Sequence, residues 1–160
     1  MIPFLYMVSY DSQPEGARFD SGIHDQRSYQ LGMIYAFAEM VGSGVKRLAL
    51  RPTLTGDQFE RIIREVRLIA EEYSLVLHVD RDFLETRLFN PEYTRGKMVI
   101  HLAAERATID EYEALKERKR GHLEAGTLTE EVELEIARGL GRLLSYSDES
   151  IRHLLEKLRF

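Results

Sequence analysis

"VKRLALRPTLTGDQFERIIREVRLIAEEYSLVLHVD", residues 45–80, carries the pattern that decides the fold. Residues 45–50 read as a short strand, and Arg51-Pro52 closes it because proline cannot donate to a central ladder. Thr55 followed three residues later by Gln58 predicts a capping box. Behind it Phe59, Ile62, Ile63, Val66, Ile69, Ala70 and Tyr73 recur at helical spacing. The opposite face carries Glu60, Arg61, Arg64, Glu65, Arg67, Glu71 and Glu72, a solvated surface of mixed charge. Residues 75–79 then read as a strand that opens into Asp80-Arg81-Asp82. A strand, a helix of this length and a second strand favour a parallel pair joined by a right-handed crossover.

Working outward, residues 2–9 are a dense apolar and aromatic run ending in Tyr10-Asp11-Ser12, which reads as a buried strand leaving the sheet. The polar stretch from 13 to 27, with Pro14, Gly16 and Gly22, exceeds the usual connection of about 4–6 residues. Residues 28–41 are apolar nearly all round, as in a helix covered on more than one side, and Gly42-Ser43-Gly44 ends them. Downstream, residues 83–96 are irregular, with a turn at Asn90-Pro91 and room for a short helix, before an apolar strand at 98–102. Thr108 with Glu111 and Thr127 with Glu130 predict two more capping boxes, and Ser147 caps a last short helix. The expected fold is one α/β domain over residues 1–160. A mostly parallel sheet of about four strands, with helices on both faces, occupies 1–107. A C-terminal helical tail, 108–160, either packs on that sheet or serves oligomerisation.

At 160 residues, 44% hydrophobic and 31% charged, the chain has the composition of an ordinary globular domain able to bury a core unaided. No apolar run approaches the roughly 20 residues of a bilayer span, and the N-terminal stretch lacks the basic region of a signal peptide. The expectation is a cytoplasmic protein with no membrane partner. The absence of cysteine excludes disulfides, thiolate metal sites and a cysteine nucleophile. A formal charge of −5 argues against duplex nucleic acid, whose binding rests on a basic face. Basic residues are mostly arginine and Asn90 is the sole asparagine, a thermophile-like composition.

In an open parallel sheet, ligands bind outside the carboxyl ends of the strands. That rule gathers Asp11 and Ser12, Arg51, Asp80 and Arg81, and Arg106 at one rim, with Asp25 and Arg27 entering the helix beside it. Guanidinium forks and free helix N–H groups suit carboxylate or phosphate oxygens. The preferred reading is therefore a binder of a small anionic, nucleotide-like ligand held by Arg27, Arg51, Arg81 and Arg106 with Ser12 and Asp25. Neither GxGxxG nor GxxxxGK[ST] follows a strand, so no dinucleotide or P-loop cofactor is named.

An enzymatic alternative is a phosphoesterase or phosphotransferase with His24 as acid or base and Asp11 and Asp80 holding water or magnesium. Asp80-Arg81-Asp82 alone is a weak pattern, so no metal site is assigned and the cofactor is unknown. Whether the chain is an enzyme is left open. A third reading is a homodimer through the C-terminal helices, with the polar loop merely solvated. Asp25 doubles as a helix N-cap. His78 and His101 lie inside strands and read as satisfied structural groups, while His122 and His153 on the tail make no HExxH pattern.

Overall fold

The computed structural model describes residues 25–157, without the side chains of Arg51 and Pro52. Helices α1 (Gln26–Gly42), α2 (Gly56–Glu72), α3 (Arg106–Glu124), α4 (Glu130–Leu143) and α5 (Asp148–Lys157) surround strands β1 (Leu48–Leu54), β2 (Val76–Asp80) and β3 (Met98–Ala103). A 3-10 turn at Pro91–Tyr93 is the short helix of the irregular segment. The expected box opens α2: Thr55 Oγ1 accepts from the Gln58 N–H, and the Gln58 side chain accepts from the Thr55 N–H at 3.0 Å. Asp25 caps α1, accepting from the Arg27 and Ser28 N–H groups.

Two expected boxes are displaced. Helix α3 begins two residues before Thr108, behind Glu105, which makes no side-chain cap, and Thr108 is buried. The cap of α4 is Thr129, not Thr127, and it accepts from the Val132 N–H. Ser147 does cap the last helix, accepting from the Ser150 N–H at 3.1 Å.

The mostly parallel sheet is overturned. Among the described residues the order is β1-β3-β2, and β3 pairs antiparallel with both neighbours. Strands β1 and β2 do run the same way, as a strand-helix-strand unit favours, but they are not adjacent. The connection through residues 81–97 brings β3 back between them in the opposite sense. A local pattern sets the direction of the two strands it joins and leaves open which strand fills the slot.

Arg51-Pro52 does not close β1. The register passes from Leu50↔His101 to Thr53↔Val99, so one extra residue sits on β1 across this step. Proline is tolerated because a bulge leaves its residue unpaired and β1 lies at an edge of the described sheet. The bulge also flips the side-chain alternation: Leu48 and Leu50 face one core, whereas Ala49 and then Leu54 face the other.

Two cores result. One packs α1 and α2 on Ala49, Leu54, Ile100 and Leu102, through Ile34, Ala38, Val41, Phe59, Ile62 and Val66. The other packs α3, α4 and α5 on Leu48, Leu50, Val99 and Ala103, through Ile109, Tyr112, Ile136, Leu140 and Ile151. Buried Lys46 joins strand to tail by donating to the Leu144 carbonyl at 2.8 Å.

Close approach of α4 to α5 depends on Gly141, where a Cβ would stand 2.7 Å from Ile151 Cγ1. At Gly121 on α3 nothing lies within 4 Å. The same substitution should therefore have opposite signs: Gly141→Ala lowers unfolding free energy by about 1–3 kcal/mol through overpacking, while Gly121→Ala raises it by up to about 1 kcal/mol through helix propensity. Urea unfolding of both variants checks this, and a stabilised Gly141→Ala would contradict the α4–α5 packing.

Candidate functional site

The antiparallel sheet separates the described part of the expected rim. Asp11, Ser12 and His24 lie outside the described residues. Asp25 is occupied as the α1 cap, its carboxylate also accepting from Ser28 Oγ at 2.7 Å. That hydroxyl is the main reason its carboxyl is held below the usual range, with the Ser28 and Arg27 N–H groups and the Arg27 charge adding. Arg27 crosses to α2, meeting Glu65 at 2.6 Å and the Arg61 carbonyl at 3.2 Å. Arg51 sits within β1 instead of at its exit. Arg81 is exposed just past β2.

Arg106 follows the carboxyl end of the reversed strand β3, about 17 Å of strand away from the exits of β1 and β2, and pairs with Asp110 at 3.1 Å. Antiparallel pairing is what separates it from Arg81. A groove of about 1050 Å³ beside α4 and α5 gathers Arg87, Arg138, Arg142 and Arg152, but Glu130, Asp148, Glu149 and Glu156 line it too, so it is no anion basin.

The concentration of polar chemistry lies instead on the sheet face beneath α3. Alternation along β2 puts His78 and Asp80 on one face, and the register pairs His78 directly with His101 of β3. The two imidazoles stack at 5.2 Å between centroids. Helix α3 supplies Tyr112, Glu113 and Lys116, where Tyr112 and Lys116 share a face at i, i+4. Tyr112 stands edge-on to His101 at 4.5 Å.

Asp80, only 4% exposed, is fully engaged. Tyr112 Oη donates to Oδ2 at 2.5 Å, Lys116 Nζ lies 2.9 Å from both oxygens, and the Asp82 N–H donates to Oδ1 at 2.9 Å. Burial works to raise the Asp80 carboxyl, but these hydrogen bonds and the Lys116 charge outweigh it and hold the group below the usual carboxylate range. Tyr112 is shifted the other way by burial and by donation to that carboxylate.

The histidines are not satisfied structural groups. His101 has no solvent exposure, and neither ring nitrogen has a hydrogen-bond partner among the described residues. Burial lowers it to about 3; the Asp80 charge opposes this, while His78 and Lys116 reinforce it. The Nε2 of His78 lies 3.1 Å from Glu113 Oε1 yet lacks hydrogen-bond alignment. Buried nitrogens without a partner each cost on the order of 1–3 kcal/mol, and native proteins seldom leave such groups unanswered. A ring nitrogen from each histidine and one Asp80 oxygen lie within 4.8 Å of one another.

The cluster grades from solvent inward. Glu113 is 43% exposed, His78 24% and Lys116 20%, with Asp80, His101 and Tyr112 behind them. Sequence reasoning named Asp80 but missed the histidines. The available signal was His78-x-Asp80, two polar residues of one parity in an otherwise apolar strand. No protein-family model, curated protein or solved structure matches the chain. No helix among the described residues is long and apolar enough to cross a membrane.

His101 makes the stability depend on pH. Its folded value is depressed below 6.5, so between 6.5 and about 3 the unfolded chain binds the extra proton and stability falls as pH falls. Asp80 acts in the same direction only in more acidic solution, below the ordinary carboxylate value of 3.8. Urea unfolding with chelator present should lose up to about 1.4 kcal/mol per pH unit on acidification below pH ~6.5. His101→Phe should flatten that slope above about pH 4.5, and an unaltered slope would mean that His101 is not held neutral.

Proposed function

We propose that this protein binds a divalent transition-metal ion through His78, Asp80 and His101. The observation that carries the reading is the fully buried His101, whose unpartnered nitrogens adjoin a carboxylate and a second imidazole. A ligated nitrogen would be stabilised in the place where a bare one is costly. Neutral imidazole is the form that ligates, and burial keeps His101 in that form.

The donor set limits the ion. Two imidazoles and one carboxylate suit zinc, iron, cobalt or nickel, whereas magnesium and calcium prefer oxygen ligands throughout. Edges of a tetrahedral zinc site are about 3.3 Å for bonds near 2.0 Å. The donors here spread to 4.8 Å, so binding draws the side chains together by side-chain rotation. Glu113, beside His78 at the open end, is available as a fourth ligand. Tyr112 supports the site as an outer partner, orienting the Asp80 carboxylate as such partners orient metal ligands.

Chelator-stripped protein titrated with zinc in a calorimeter should take up one ion per chain. Asp80→Asn and His78→Gln should each weaken binding by about 10-fold or more, as loss of a ligand exceeds the 10–100-fold cost of losing an outer partner. His122→Ala and His153→Ala should bind as wild type does. Zinc at 100 times its Kd should also add about 2.7 kcal/mol of stability. No uptake by the wild-type chain, or uptake unaffected by Asp80→Asn, would refute the proposal.

A further inference from the structure

The occupancy of Asp80 carries one step more, which rests on the metal reading. The geometry points to Lys116 as a built-in competitor whose ammonium must leave Asp80 before a divalent ion can be held. An ionised carboxylate offers about four acceptor sites. Here Tyr112 takes one, the Asp82 N–H another, and Lys116 lies across both oxygens.

Of these donors only Lys116 has an exit. Tyr112 has no exposure and is further fixed by the Leu84 N–H, which donates to its oxygen at 3.0 Å. The Asp82 donor is backbone. Lys116 is 20% exposed, and its flexible stem can carry the charge outward. Glu113, one turn earlier on α3, adjoins that route.

Lys116 and a divalent ion repel each other and share one carboxylate, so their occupancies are exclusive. The site thus has two states, one closed by Lys116 and one holding metal with Lys116 in solvent. This competition also sharpens selection. An ion that gains from Asp80 alone has to displace the ammonium without help, whereas one that also gains from His78 and His101 has two further bonds to offset the exchange. Zinc-like ions should therefore enter and magnesium should not.

The test combines zinc titration of wild type and Lys116→Met with acylation of lysines on the full-length wild-type chain, read by peptide mass spectrometry. Lys116→Met should bind zinc about 10-fold tighter or more. Zinc should raise Lys116 acylation several-fold, leaving exposed Lys157 unchanged, and magnesium should do neither. Because acylation uses the wild-type chain, the test stands even if Lys116→Met folds poorly. Zinc binding that leaves Lys116 acylation unchanged and is not tightened in Lys116→Met would overturn the competition while leaving the metal reading intact. Failure of both chains to bind zinc would overturn the metal reading and this inference with it.

Discussion

The carboxylate of Asp80 is the point on which the inner face of the sheet depends. A charge this deeply buried is tolerable only when its hydrogen bonds are made, and all of its partners are in place. Tyr112 and Lys116 reach it from α3, and the Asp82 N–H turns back from the chain leaving β2. One group thereby fixes the angle of α3 across the sheet and the first step of the 81–97 connection. The Leu84 N–H continues the chain of hydrogen bonds by donating to Tyr112. Apolar packing by Ile109, Ile136 and Leu140 supplies bulk stability around this point but does not by itself specify orientation.

Against that complete network the histidine pair stands out. Asp80 answers the polar groups that reach it, yet His101, a short distance away on the adjacent strand, is answered by none among the described residues. An apolar residue at position 101 would pack against Phe83 and Tyr112 without that penalty. Persistent local cost in an otherwise consistent structure is where function is expected. Metal ligation, as proposed, would turn the cost into a gain, and the Lys116 ammonium compensates the carboxylate as the structure stands.

Much of the local structure was legible in the sequence. Thr55, Gln58 and the apolar stripe of α2 are short-range signals, and they form as the spacing implies. Asp25 as a cap is of the same kind. What was not legible is pairing. Nothing in residues 45–80 says that β3 will be inserted between β1 and β2, because the slot is filled by a segment whose partner choice is non-local. The anion rim depended on that choice, and Arg106 moved to the opposite edge with it. Pro52 misled in the other direction: its missing N–H suggested a strand end, but a bulge in β1 absorbs it. For the site, Asp80 was visible as a charge at a strand end. His78 and His101 are 23 positions apart and become neighbours only through the antiparallel register, which no spacing rule supplies.

The most direct measurement is anomalous X-ray scattering at the zinc absorption edge from crystals grown with equimolar zinc. One peak is expected, bounded by His78, Asp80 and His101, with the Lys116 side chain turned away from the carboxylate. A peak at His122 or His153 with none beneath α3, or no peak at all, would contradict it.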